Sequence, residues 1–195
     1  MNDILSVGGL LTAFGLSGAT GLNAYLPLLV TGILTKVDYI QLDDRYDALA
    51  SWPVIAVVAA LFIVDFIGDK IPAIDHIFHA VGTIVHPIAG ALAFASQTGA
   101  VTEMNPILSL VLGATTGGGL HLARAAVRPM STIGTAGVGN PIMSFGEDLT
   151  AGMLTALAFI IPILVAVALV SVVWFVWRLW RRAGRSLAPG SARRA

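Results

Sequence analysis

Charged and titratable side chains interrupt the apolar sequence at residues 63–86, where three aspartates, one lysine and three histidines stand between two hydrophobic stretches. The stretch before them is apolar enough for a membrane span, and the stretch after them nearly so. The acids are Asp65, Asp69 and Asp75. Because an ionised side chain in hydrocarbon costs several kcal/mol, we expect these acids to face water, a partner charge or an internal cavity.

The composition indicates an all-α polytopic membrane protein. Of 195 residues, 56% are hydrophobic and only 11% are charged, and the mean hydropathy is +0.86, which argues against a soluble domain. The chain has no cysteine, which excludes disulfides, thiolate metal sites and a cysteine nucleophile. The N-terminal sequence MNDILSVGG lacks the basic start of a signal peptide, so we expect it to form part of the first helix.

The C-terminus is strongly basic although the net charge is zero. Six arginines lie in the last eighteen residues, after a helix end rich in tryptophan. Basic flanks stay on the cytoplasmic side of a membrane, which predicts a multi-pass protein of the inner (plasma) membrane with a cytoplasmic tail at residues 179–195. Such a tail is more typical of a topology anchor than of a nucleic-acid site, so we expect no nucleic-acid partner.

The first hydrophobic run, residues 4–35, is too long for one straight span of roughly 20 residues. It contains the small residues 15–21, followed by Asn23 and Pro27. One interpretation is close helix packing at the small residues. The other is a discontinuous helix whose freed backbone groups face a cavity, as in transporters, and Asn23 and Tyr25 would then contact a polar substrate.

The second span carries the first acidic pair. Residues 36–50 form an acidic loop without the spacing of a calcium loop, and the sequence SWP then predicts the start of a helix capped by Ser51. Asp65 and Asp69 are four residues apart and share a helix face, where they can share a proton or hold a cation. Lys70 follows Asp69 by one position and need not pair with it.

Three histidines follow this pair. Pro72 ends the second span, and Asp75 is placed to cap the third. His76, His79 and His86 then lie on nearly one helix face. Histidines near a helix start more often meet water or headgroups than a metal, so we predict no metal site.

The fourth span repeats features of the first. Asn105 and the proline after it predict a helix that reaches residue 127. Its small residues 113–119 resemble residues 18–21, which suggests an internal repeat. Arg124 and Arg128, one turn apart, mark a cytoplasmic end or an anion site.

The stretch MSTIGTAGVGNP at residues 130–141 is glycine-rich and low in charge. Backbone of this kind at membrane depth must be enclosed by protein or line water. Asn140 and the following proline start a helix whose exposed amides can meet an anion or a polar substrate group. Glu147 and Asp148 arrive within two turns, and we assign them to the same proton or cation site as the acidic pair of the second span.

The charge distribution decides the expected topology. Five plain spans with the N-terminus inside would place the basic tail outside, against the positive-inside rule. An irregular sixth crossing at residues 131–146 restores the tail to the cytoplasm. The halves at residues 4–96 and 105–178 then have three crossings each, which predicts an inverted repeat with broken helices. We expect one transmembrane domain, residues 1–178, with five to six segments, five if the loop is re-entrant.

Several short motifs carry a family resemblance. GLNAYLPLL, SWP, an acid seven residues before the proline of IP-x-ID, and ST-x-GTAG-x-GNP followed by Glu147 occur in this order. Over roughly residues 8–170 the chain resembles the bacterial integral-membrane family catalogued as domain of unknown function 4126. The usual glutamate of its first half is replaced here by Asp65, which keeps the charge. The resemblance implies a small polytopic membrane protein and no established activity.

A second signature is not met. Some cation exchangers carry a glutamate, any residue, and then GDK with Ser or Thr. In the sequence VDFIGDKI the acid is one residue too far away and the hydroxyl is missing. The pattern therefore argues against a cation-exchanger assignment.

Three function classes fit these observations. The first is a secondary transporter or ion-coupled carrier, with intramembrane carboxylates in both halves. The second is a structural or accessory membrane protein whose glycines are packing surfaces. The third is an intramembrane enzyme, which ranks last because no motif joins serine and histidine.

The carrier hypothesis leads to a specific set of residues and partners. The proton or cation site is predicted at Asp65, Asp69, Glu147 and Asp148, and the substrate contacts at Asn23, Tyr25, Arg124 and Asn140. No catalytic residue and no cofactor is predicted. The expected partners are the lipid bilayer, a small solute or ion, and a second copy of the chain packed through its glycine faces.

Overall fold

The computed structural model describes residues 2–71, 75–98, 104–135, 139–160 and 178. The helices are α1 (Asn2–Thr20), α2 (Leu26–Lys36), α3 (Trp52–Gly68), α4 (Asp75–Thr98), α5 (Pro106–Thr135) and α6 (residues 140–160), with a 3₁₀ helix (Asp44–Ala50) before α3. The described ranges contain no strand, so the prediction of an all-α chain is confirmed.

Among the described residues, two helices are long and apolar enough to cross a membrane. They are Ile77–Gln97 within α4 and Pro106–Ala126 within α5, each of 21 residues. A third crossing results if the 3₁₀ helix and α3, which meet at an angle of 62°, are counted as one bent span. The described residues thus supply two to three candidate spans, and the five to six crossings and the inverted repeat stay predictions.

The polarity of the described bundle is reversed relative to a water-soluble protein. Hydroxyl side chains such as Ser17, Thr31 and Ser144 are fully buried. Large aliphatic side chains such as Ile107 and Ile142 are more than 70% exposed. An apolar exterior around a core of small and polar residues matches a lipid surrounding. This arrangement agrees with the membrane character expected from the composition.

Small residues let α1, α4 and α5 approach closely. A Cβ atom added at Gly90 would lie 2.5 Å from the carbonyl oxygen of Gly113, and one added at Gly21 would lie 2.7 Å from that of Gly117. Neither position leaves space for a side chain. The packing interpretation of the small residues is therefore confirmed, and the two stretches that look alike in the sequence pack on each other.

The break in the first hydrophobic run is also present. Helix α1 ends at Thr20 and α2 begins at Leu26. The side chain of Asn23, 1% exposed, accepts hydrogen bonds from the amides of Tyr25 at 3.1 Å and Leu26 at 2.9 Å. Because this oxygen satisfies amides at the start of α2, the discontinuity is stabilised locally.

Two local expectations were wrong. Ser51 occupies the position before α3, but its hydroxyl donates to the carbonyl of Ala48 at 2.7 Å and does not cap the helix. Irregular backbone was expected at residues 131–146, but residues 131–135 continue α5 and residues 140–146 belong to α6; the crossing itself stays a prediction. Helix α5 continues through Pro129 and Gly134, two residue types that disfavour a helix interior, so the local sequence favoured a loop where the structure has a helix.

Some predictions fall on residues without a structural description. Asp75 is the first residue of α4, but its side chain and those of His76 and Arg128 lie outside the described part. The same holds for the end of the last hydrophobic run and for the basic tail, residues 161–177 and 179–195.

Candidate functional site

Arg124 of α5 joins three other parts of the bundle. Its Nη2 donates to Oδ2 of Asp69 at 2.9 Å, and its Nη1 donates to the carbonyl of Leu22 in the α1–α2 break at 2.5 Å. Its Nε lies 2.8 Å from Oε2 of Glu147 on α6. The hydroxyl of Ser144 also donates to Asp69 Oδ2, at 3.1 Å. One guanidinium thus binds two carboxylates and a carbonyl from three segments.

A second ion pair lies between Lys70 and Asp148. The ammonium donates to Asp148 Oδ2 at 2.8 Å and to the carbonyl of Phe66 at 2.8 Å. Asn23 Nδ2 donates to the other oxygen, Asp148 Oδ1, also at 2.8 Å. Asn23 therefore uses its oxygen on the start of α2 and its nitrogen on α6.

We call these groups the polar cluster; its members are Asn23, Asp69, Lys70, Arg124, Ser144, Glu147 and Asp148. The side chains of Arg124 and Asp148 are only 7% and 9% exposed. Buried ions need both a partner charge and further hydrogen bonds to offset their desolvation. The cluster provides both, so its geometry depends on every member staying in place.

Asp65 lies one turn before Asp69 in α3 and lines a cavity of about 220 Å³ instead of joining the cluster. Within the described part of the chain its carboxylate makes no hydrogen bond or ion pair. Tyr25 and His86 are the other polar side chains of the lining, and the remaining walls are aliphatic or aromatic. The cavity lies between the α1–α2 break, α3 and α4.

His86 is held in one tautomer. Its Nδ1 is hydrogen-bonded to the carbonyl of Thr20, and because a carbonyl only accepts, Nδ1 carries the proton and Nε2 is left as an acceptor. The His86 and His121 rings stack with centroids 4.1 Å apart, and His79 lies 6.0 Å from His121. In the described ranges no three acidic or histidine side chains converge as a metal site.

Asp65 is the acid of this region that has no ion pair among the described residues. A partly buried carboxylate without a partner charge binds a proton or a cation more readily than a paired one.

The structure brings together most of the residues selected from the sequence. Asn23, Asp69, Arg124, Glu147 and Asp148 belong to the polar cluster, and Tyr25 and Asp65 line the adjacent cavity. Asn140 is buried at the start of α6. It lies four residues before Ser144, so the two share a helix face.

Three residues of the candidate site were not selected from the sequence. Lys70 and Ser144 belong to the cluster, and His86 lines the cavity. Lys70 had a usable signal, because a lysine at the end of an apolar run needs an acidic partner. Ser144 lies four residues before Asp148 and therefore on the same helix face. The position of His86 depends on how α4 packs against α1, which no local pattern reveals.

Comparison with known proteins gives one match. The model of a family described as Domain of unknown function (DUF4126) matches residues 10–182. No curated protein and no solved structure matches the chain significantly.

Proposed function

We propose that this chain, which belongs to the family of domain of unknown function 4126, is a small ion-coupled carrier of the inner membrane. In this proposal Asp65, Asp69, Glu147 and Asp148 bind a proton or a cation whose movement is coupled to that of a small solute. The observation that carries it is the buried polar cluster, in which ion pairs link the two halves of the chain.

The ion pairs cross between the halves. Asp69 of the first half binds Arg124 of the second, and Lys70 of the first half binds Asp148 of the second. A carrier that exposes its site to alternate sides moves one half against the other. Since these pairs must separate or slide in that motion, a proton or cation that replaces a partner charge lowers the cost of moving.

Asp65 gives the coupling its sign. It carries no ion pair in the described part of the chain, which makes it the first candidate for the proton or cation. An anion would be repelled by its carboxylate.

We further propose six crossings in two inverted halves with the basic tail in the cytoplasm. Asp69 and Asp148 would then be equivalent positions, and each of them binds a cationic residue of the other half. A reporter that is active only outside the cytoplasm, fused after residue 178, should be silent. An active reporter would contradict the proposed sixth crossing.

Flux through liposomes tests the carrier proposal directly. The purified protein is reconstituted, and proton and cation fluxes are recorded for the wild type, Asp65→Asn and Glu147→Gln. We expect both variants to lose flux while keeping their helical content. The matched control is Asp44→Asn, since Asp44 is an exposed acid in the 3₁₀ helix. If both site variants match the wild type in every assay that gives a signal, the carrier proposal is wrong.

A further inference from the structure

We propose that the cavity beside the polar cluster binds a small monovalent organic cation with an apolar body, an alkyl- or arylammonium ion that enters from the bilayer. The proposal rests on the proposed function only in naming the cargo, because binding itself requires no transport. It follows from the charge, the polar lining, the size and the opening of the cavity.

The charge of the cavity comes from Asp65. Asp69 and Glu147 bind Arg124, and Asp148 binds Lys70 and the side-chain amide of Asn23. Asp65, by contrast, has no ion pair among the described residues. Neither Lys70 nor Arg124 lines the cavity. An ammonium group beside Asp65 would form the ion pair that this carboxylate lacks among the described residues.

The remaining polar groups suit a hydrogen-bond donor. Tyr25 offers a phenol oxygen, and the stacked His86 has its Nε2 left as an acceptor. An ammonium group brings donors and no acceptor, so it complements all three side chains. A carboxylate or phosphate ligand would find no cationic side chain in this lining.

The size and the walls favour an organic ion over a bare metal ion. A cavity of about 150 Å³ with apolar walls holds benzene, and this cavity has about 220 Å³, which is room for one ring with a short side chain. Its walls include Leu61, Val85 and the ring of Phe78. A metal ion needs several oxygen ligands, whereas aliphatic and aromatic walls bind an apolar body and an ammonium group near it.

The cavity opens between α3 and α4. Four of its lining residues are also on the outer surface, 43–55% exposed; they are Leu61, Val64, Ile77 and Val81. In a membrane this surface meets the acyl chains. A ligand that partitions into the bilayer therefore reaches Asp65 without passing through the polar cluster.

Binding of benzylammonium to the purified full chain in nanodiscs, followed by calorimetry, tests the proposal. The uncharged comparison is ethylbenzene, its carbon analogue, and the anionic one is phenylacetate. We expect at least a tenfold preference for the cation, abolished by Asp65→Asn and kept by Asp65→Glu. Equal binding of the isostere or the anion, or an unchanged cation affinity in Asp65→Asn, would overturn the proposal.

A second pair of variants decides the matter if Asp65→Asn does not fold. Val64→Trp places a large ring in the cavity and should reduce cation binding tenfold or more. Val57→Trp, two turns earlier on the same exposed face of α3 but outside the lining, should bind as the wild type does. Equal affinities in the two variants would place the ligand elsewhere and refute the assignment.

The outcomes separate this proposal from the carrier function. Cation binding without flux would keep the site and reject transport, whereas carboxylate-dependent flux without organic-cation binding would keep transport and reject the site. If two Val64→Cys chains form a disulfide with each other and the protein binds no cation, the opening is covered by a second copy of the chain. That result would overturn the proposal.

Discussion

Replacing Arg124 by glutamine tests how far the polar cluster holds the bundle together. The change leaves Asp69 and Glu147 without their shared cation and the carbonyl of Leu22 without its donor. Removing one partner from a buried ion pair costs about 3–5 kcal/mol. Because Arg124 is 7% exposed and serves two carboxylates, we expect a loss at the upper end of that range.

Equilibrium unfolding in mixed micelles measures this loss. The dodecyl sulfate fraction is raised stepwise while the helical circular dichroism signal is recorded. The double variant Arg124→Gln with Asp69→Asn should recover about 1–3 kcal/mol, because one stranded charge is removed with its partner. The control is Arg45→Gln, which breaks a pair with Asp43 in which Arg45 is 54% exposed; it should lower the free energy of unfolding far less than Arg124→Gln does.

Two results would refute this reasoning. A loss below about 1 kcal/mol for Arg124→Gln would mean that the carboxylates are already neutral or hydrated in the wild type. A double variant whose loss equals the sum of the two single losses would mean that Arg124 and Asp69 do not interact energetically.

Further predictions concern packing and pH. Gly90→Ala should lower the free energy of unfolding by about 1–3 kcal/mol, because its Cβ would meet the backbone of α5. Gly119→Ala has open space around it and should raise the free energy of unfolding by up to about 1 kcal/mol. The same micelle titration measures both variants, and an equal loss in the two would contradict the packing argument. The hydrogen bond from Arg45 lowers the pKa of Asp43 from 3.8 to about 2, so the stability it contributes is complete above pH 3.8 and is lost as the pH falls through 2. The carboxyl chemical shift of Asp43 should titrate at that lower pH, and its titration midpoint should return towards 3.8 in Arg45→Gln. An unchanged titration midpoint would disprove the pairing.

Helix boundaries with local signals could be predicted from the sequence. Asn105 before a proline predicted the start of α5, and its Oδ1 accepts from the amide of Ile107 at 2.9 Å. Asn23 and Pro27 marked the break between α1 and α2. In each case the side chain that breaks or starts the helix acts on amides within three residues of itself, so its effect is present in the local sequence.

The partners within the site could not be predicted in the same way. Asp69 and Arg124 are 55 residues apart, and Lys70 and Asp148 are 78 apart. Both pairs depend on how α3, α5 and α6 pack, which no local sequence pattern specifies. The separation of Asp65 from Asp69 has the same origin, because α3 ends between them and only Asp69 turns towards Arg124.

The two ends of the Asn23 amide bind partners that are distant in sequence. Its oxygen fixes the first amides of α2, and its nitrogen holds the carboxylate of Asp148 on α6. Because the amide group is planar and rigid, it fixes the distance between its two hydrogen-bond partners on α2 and α6. A shift of α6 that keeps both contacts must pull on the first turn of α2, and a shift that breaks one leaves either unbonded amides or a carboxylate with one donor fewer. The Asn23 amide therefore couples the start of α2 to the position of α6 through these two hydrogen bonds.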